Sequence, residues 1–305
     1  MLSMFLISLE QGLIFAVLAL GVYITYKILD FPDLSVEGSF PAGAFAFAKL
    51  VTSGASLWIG LLGSLLIGAM TGLITSLIFS RLRIKPLLSG ILTLTLMYSV
   101  NLRINAKSNV PLFSTPTLFQ GDTLINIGIL ALIVLVLKLL MDRFFRSQIG
   151  YMLLATGDNE VLVAGLGEHV DKYKMIGLMI SNALVALSGA IMAQNVRFAD
   201  INMGNSIIVI ALASIIIGDT FMRNTRKVRG TSRAIYGALI YKMIGGAALY
   251  LGLAPTDLKA VNALIVIAFI AYNQWSPSAW WKRFREKQFR PESSKGVPRA
   301  ADSSS

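Results

Sequence analysis

The run Leu57-Trp58-Ile59-Gly60-Leu61-Leu62-Gly63-Ser64-Leu65-Leu66-Ile67-Gly68-Ala69-Met70-Thr71-Gly72-Leu73-Ile74-Thr75-Ser76-Leu77-Ile78-Phe79-Ser80 leads straight into Arg81-Leu82-Arg83-Ile84-Lys85. It carries no charge until Arg81 and is longer than the about 20 residues that a helix needs to cross a ~30 Å hydrocarbon core. The basic triplet marks its end as cytoplasmic, because short cytoplasmic loops retain Lys and Arg. Gly60, Gly63, Gly68 and Gly72 punctuate the helix, and small residues let membrane helices approach closely. This stretch reads as a membrane span built to pack against other spans.

The pattern recurs outward in both directions. Further spans are expected from Leu6 to Lys27, Leu87 to Asn105, Leu124 to Met141, Lys174 to Gln194, Ala234 to Leu251 and Leu258 to Asn273. The last turns of Lys174 to Gln194 carry a small-residue set, Ser181, Ala183, Ala186, Ser188, Gly189 and Ala190. Two apolar stretches look too short to cross: Ser39 to Val51, interrupted by Pro41, Gly43 and Lys49, and Ser206 to Ile217. Both read as half-helices or re-entrant elements whose free backbone groups must be sheltered by protein, the kind of segment that marks a transporter's pathway. The expected fold is therefore all-α, a polytopic membrane helix bundle of about 8–9 membrane segments including the two short ones. It occupies residues 1–275, with a cytoplasmic loop at 142–174 and a basic, disordered cytoplasmic tail at 276–305.

Composition agrees. Hydrophobic residues make up 55% of the chain and charged residues 14%, with a mean hydropathy of +0.69. A water-facing globule carries roughly 25% charged residues. There is no cysteine and a single histidine, His169, which excludes disulfides, thiolate chemistry and histidine-built metal sites. The net charge of +11 is not spread like that of a nucleic-acid binder. Of 27 Lys and Arg, 19 fall in Arg81–Lys85, Arg143–Lys174, Arg223–Arg233 and Lys282–Arg299. The alternate loops near 103–122, 195–205 and 251–259 hold four. That alternation sets the first group, and the C-terminus, in the cytoplasm of a cell-membrane protein. The first span begins without a basic n-region or a small-residue cleavage site, so no cleaved signal peptide is expected. The side of the N-terminus depends on whether Ser39 to Val51 crosses and stays open.

Two non-apolar stretches carry most of the information. In Ile28-Leu29-Asp30-Phe31-Pro32-Asp33-Leu34-Ser35-Val36-Glu37-Gly38-Ser39-Phe40, three carboxylates, a proline and a glycine interrupt apolar sequence. Intramembrane acids are expensive and face a cavity or a partner. The stretch is either an interfacial loop or a helix break at membrane depth, and hydropathy does not choose. In the loop Ser147 to Gly167, Gly157 is expected to break one segment and Asp158 or Asn159 to cap a new helix. Glu160 sits favourably in its first turn and Gly167 ends it, leaving Val161, Leu162 and Leu166 on one apolar side. So short a helix is marginal alone in water. It must dock, either on its own membrane domain or on another protein. Asn182 lies mid-span, and Lys242, flanked by Tyr236 and Tyr241, either snorkels to an interface or pairs inside the bundle. No G-x-x-x-x-G-K-[ST], H-E-x-x-H, G-x-S-x-G or dinucleotide fingerprint occurs, so no enzyme machinery is expected.

Three segments together resemble the permease subunit of an ATP-binding-cassette (ABC) importer of the branched-chain amino acid and ribose type. They are Ala19 to Ser39, with its helix and broken Asp-x-Ser element; Ala155 to Gly167 followed by Ser181 to Ala190; and Phe198 to Gly204 leading into Ser206–Ile217 and Gly218-Asp219. The chain departs from that family at Leu162, where a small residue is usual, and at Gly167-Glu168-His169, where Gly-Ile-Asn or Gly-Val-Asn is usual. The first two segments are most similar to a subgroup importing amino acids, aromatic ones included. The resemblance implies an ATPase-coupling element at Gly157, Asp158, Asn159, Glu160, Val161, Leu162, Leu166 and Gly167, and a substrate pathway along Asp33, Ser35, Glu37, Ser39, Tyr98 and Asn101. It also implies ABC ATPase subunits that bind the ATP, an extracytoplasmic solute-binding protein, and a second permease copy, most simply a homodimer in the bilayer. No cofactor, metal or nucleic acid is implied for the chain itself. The other reading is an ion-coupled secondary transporter acting without an ATPase, with Asp30, Asp33, Glu37 and Lys242 as its coupling residues.

Overall fold

The computed structural model describes residues 2–119, 121–222 and 228–253, with scattered helical positions between 260 and 271. The expected span Leu258 to Asn273 and the tail from 276 lie largely or wholly outside the described residues. The first helix, α1 (Leu2–Tyr23), runs into a π-helical turn at Ile24–Ile28. After an irregular stretch come α2 (Val36–Thr52), α3 (Leu57–Leu82) and α4 (Pro86–Asn105). A short strand β1 (Asn109–Pro111) precedes α5 (Thr123–Phe144). Two short helices, α6 (Gln148–Asp158) and α7 (Glu160–Gly165), lead to α8 (Val170–Val196). Strand β2 (Phe198–Asp200), a 3₁₀ turn (Ile201–Gly204), α9 (Ile207–Phe221) and α10 (Gly230–Tyr250) complete the described chain.

Among the described residues six helical segments are long and apolar enough to cross a membrane, beginning at Met4, Leu57, Pro86, Thr123, Val170 and Ile201. One expectation needs correcting. The stretch Ser206 to Ile217 is not a 12-residue half-helix: the 3₁₀ turn and α9 together make a 21-residue segment, Ile201–Phe221, with the length and hydropathy of a crossing. The sequence hid this because Asn202 and Gly204 look like loop residues while their backbone is already wound, with the extended Asn205 and left-handed Ser206 joining that turn to α9. The all-α expectation also misses a small antiparallel sheet in which Asn109, Val110 and Pro111 pair with Asp200, Ala199 and Phe198.

At the centre lies α2, buried along nearly its whole length through Phe40, Ala44, Phe45, Phe47 and Ala48. It packs against α8, α3 and α4, as a helix apolar on every side must. Rather than breaking, it continues through Pro41, the sixth residue of the helix, whose missing N–H leaves the Glu37 carbonyl without its intrahelical donor. Glycines set the spacing of this core: a Cβ on Gly68 or Gly72 of α3 would overlap the backbone of α8, and one on Gly43 or Gly189 would collide across the α2–α8 contact.

Polar anchors hold the two ends. On the outer side Leu112 N donates to Arg197 O at 2.8 Å, Leu118 N donates to Gln194 Oε1 at 3.0 Å, and Arg197 donates to Phe119 O. These bonds strap the loop after α4 onto the end of α8. On the basic side Lys27 pairs with Asp219 at 2.9 Å, and Asp142 accepts from Thr231, Lys138 and Arg229. The C-terminal end of α1 therefore shares an end of the bundle with the basic loops, and its N-terminal end lies at the opposite one.

Candidate functional site

The pair α6–α7 is built from local capping. Ser147 Oγ accepts from Gly150 N to start α6. Asn159 stands in an extended conformation (φ −154°, ψ 97°), and its Oδ1 accepts from Leu162 N at 3.0 Å, capping α7. Glu160, in the first turn, forms an ion pair with Lys174 of α8 at 2.7 Å, and the same ammonium lies 4.9 Å from the centre of the Phe79 ring at the end of α3. Gly167 takes a left-handed φ of +79° after the helix ends.

Two expectations about this segment are corrected. Gly157 does not break a helix; it lies within α6, and the break falls at Asn159, with Asp158 closing α6 rather than capping α7. Gly157 is glycine for space: a Cβ there would overlap the carbonyl oxygen of Ile28, on the π turn that ends α1. Close contact of this kind leaves no trace in a single sequence, because a packing glycine and a breaking glycine look alike.

Docking of α7 onto its own bundle is slight. Val163 is buried, but Val161, Leu162 and Leu166 are 81%, 56% and 65% exposed. Three large aliphatic side chains thus face outward from the basic side of a membrane protein, on a helix too short to persist on propensity alone. Isolated exposed apolar residues are ordinary, but grouped ones point to a partner surface.

The acidic break behind Gly157 is buried. Phe31 N donates to Thr25 O at 2.8 Å, and Asp30 turns the chain with φ +48°. Asp33 then accepts from Ser35 N at 2.9 Å and from Ser35 Oγ, and its other oxygen accepts from Asn182 Nδ2 at 2.8 Å. Ser39 donates to Asn182 Oδ1. Asp33, Ser35, Ser39 and Asn182 are all essentially inaccessible. Of the two readings of Ile28 to Phe40, the helix break at depth is the observed one, and Asn182 of α8 is the residue that ties it. Its mid-span polarity was the available signal, but no spacing rule links it to a residue far away in sequence.

The other candidate pathway residues are not joined to this knot. Glu37 is half-buried, with its carboxylate on the backbone N–H groups of Ser206 and Ile208 where α9 begins. Asn101 is buried and donates to Gly38 O at 3.2 Å, while its Oδ1 has no partner. Tyr98, on the same helix α4, is 51% exposed. The four residues named for ion coupling do not assemble either. Asp30 is exposed, Asp33 is tied to Ser35 and Asn182, Glu37 faces α9, and Lys242 lies over the Phe15 ring.

Among the described residues, a bundle of membrane-length apolar helices carrying a short helix with grouped exposed aliphatic side chains defines the class of multi-pass membrane proteins. Residues 4–271 match the family model for the branched-chain amino acid transport system permease component, and the chain belongs to that family of ABC importer permeases. It is 45% identical over 264 residues to the tyrosine transport system permease protein of Clostridioides difficile (strain R20291), covering 86% of this chain and 89% of that one. The ribose import permease protein RbsC of Haemophilus influenzae is 26% identical over 272 residues, covering 86% and 82%. Among solved structures, PsaBC from Streptococcus pneumoniae in complex with Fab shares the fold, with a TM-score of 0.51 at 16% identity over 91% of this chain and 94% of that one. Subunits of this family are multi-pass membrane proteins and not themselves enzymes; the transporters they belong to work with ATPase and binding-protein partners. Family membership displaces the solitary ion-coupled transporter.

Proposed function

We propose that this chain is the permease of an ABC importer for an amino acid, with an aromatic amino acid the first to test, powered by ATP hydrolysed on separate nucleotide-binding subunits. The observation that carries the reading is α7, capped by Asn159, held by Glu160–Lys174, and presenting Val161, Leu162 and Leu166 outward. An ATPase subunit grips that face, and Gly157, Asp158 and Gly167 shape its two ends. The extent of the similarity to a tyrosine transport permease supports the substrate class.

The remaining parts follow from the geometry. Closure of the ATPases tilts α6–α7 as a unit, because packed elements switch between arrangements and do not stretch. Gly157 passes that motion to the turn at Ile28, and the Asp33–Ser35–Ser39–Asn182 knot passes it to α2 and α8. Tyr98 and its neighbours on the exposed face of α4 line the pathway against a second copy of the chain, with Asn101 and Glu37 behind them. The solute-binding protein lands on the outer side, over the β1–β2 sheet. The 17-residue α2, α10 and the segment 258–273 complete the crossings, the C-terminus is cytoplasmic, and the chain itself binds no cofactor. The test is ATP-driven uptake in liposomes by the assembled transporter carrying Leu162→Asp, with Glu160→Gln beside it. ATPase activity uncoupled from uptake supports the reading. Wild-type coupling in an assembled Leu162→Asp complex, or uptake by the permease without any ATPase, refutes it.

A further inference from the structure

Lys242, on α10, takes no part in the steps proposed above. Its ammonium lies over Phe15, eleven residues from Met4 and thirteen from Ile28 in the α1 segment that is long and apolar enough to cross a membrane, which puts it near the middle of that segment. Its Nζ does not snorkel to an interface: it lies 3.7 Å from the centre of the Phe15 ring on α1, which is buried. Among the described residues no carboxylate pairs with it and no oxygen accepts from it. Glu10, next to Gln11 in sequence, is committed to Asn195 of α8 at 2.7 Å. An ammonium at this depth normally has an anionic partner. The cation–π contact offsets only part of its lost hydration.

The space beside it has the shape of that partner. Lys242, Gln11, Ser8 and Tyr241 supply the polar groups of a small, mostly apolar cavity of about 130 Å³ between α1 and α10. It shares Met4, Ser8 and Gly246 with an apolar cavity of about 550 Å³, lined also by Phe5, Met243 and Tyr250. The larger cavity is within the ~300–1,000 Å³ range of small-molecule sites, which join an apolar wall to a few placed polar groups. We propose that α1 and α10 form a binding site for a small carboxylate with an apolar body, the carboxylate on Lys242 and the Gln11 amide, the body against Met243 and Tyr250. The depth of Lys242 favours a compact solute over a phospholipid, whose phosphate stays at the interface. The site stands apart from the α4 face, and its existence does not depend on which solute is transported.

The test uses the purified, assembled transporter in detergent and measures thermal shift and affinity for 3-phenylpropionate, phenethylamine and phosphatidylglycerol. The acid is expected to bind and stabilise while the amine of the same shape does not. Lys242→Met is expected to weaken the acid by about tenfold or more, as loss of a charge-assisted contact does, and Lys242→Arg by under about threefold. Equal binding of acid and amine to the unaltered protein overturns the proposal without recourse to any variant. So does unchanged affinity in Lys242→Met, or a stabilisation by phosphatidylglycerol that depends on Lys242 and displaces the acid. Since the readout is binding, failure of amino acid uptake leaves this result standing, and the reverse holds as well.

Discussion

Replacing Gly157 by alanine is the most discriminating perturbation of the coupling path. In an unconstrained helix the change stabilises by about 0.5–1 kcal/mol, because glycine loses more backbone freedom on folding. Here the added Cβ would overlap the Ile28 carbonyl oxygen, and the obstacle is backbone, not the end of a flexible side chain. Relief requires α6 to move off the π turn, and overpacking of this kind costs about 1–3 kcal/mol. The steric term wins, leaving a net loss of about 1–2 kcal/mol in the docking of α6, roughly a five- to thirtyfold change in that equilibrium. Gly128 of α5 supplies the control, since a Cβ there meets nothing within 4 Å. Gly128→Ala is expected to leave the melting temperature unchanged or slightly raised. In proteoliposomes containing the ATPase subunits, Gly157→Ala is expected to retain ATP hydrolysis while solute moved per ATP falls severalfold, and Gly157→Val to fall further. If Gly157→Ala transports with unaltered stoichiometry and melts with the wild type, the contact transmits nothing and the path from α7 to the acidic break is wrong.

Other substitutions probe separate joints. Asn182→Ala strips Asp33 and Ser39 of a shared buried partner and is expected to destabilise the chain by about 1–3 kcal/mol, visible as a lower melting temperature. Asn182→Asp should be worse, because it sets a second carboxylate against Asp33. Asn159→Ala removes the cap of α7 at a cost of about 1 kcal/mol, with Asn159→Asp or Ser preserving it. The expected readout is weaker binding of ATPase subunits by Ala alone. Asp142→Ala leaves Thr231 without its acceptor and Lys138 and Arg229 without their counter-charge where α5 meets α10. It should lower the melting temperature, whereas Asp142→Asn, which can still accept from Thr231, should lower it less.

Much of the architecture was legible because bilayers impose one-dimensional rules. Length and hydropathy located most of the long spans, since both are properties of local sequence. The cap at Asn159 and the stop at Gly167 were legible for the same reason: capping reaches only three or four residues. Where the reading failed, the deciding contact was remote. Gly157 was taken for a breaker because nothing nearby announces the Ile28 carbonyl. The start of α9 was read within one residue, but the segment was taken as too short because the 3₁₀ turn before it and its last turn to Phe221 look like loop.

The sequence by itself determined that this is a membrane helix bundle with a short capped helix in its basic loop, because the cost of exposing charge to hydrocarbon and of leaving helix ends unsatisfied is settled residue by residue. Only the tertiary structure decided which face of that helix is outward, that the acidic break is tied shut by Asn182, and that Lys242 lies beside an apolar cavity instead of an acid. Those outcomes depend on which helices become neighbours. Neighbourhood is set by the joint packing of small residues on α2, α3 and α8, a sum over the whole bundle that no local stretch contains.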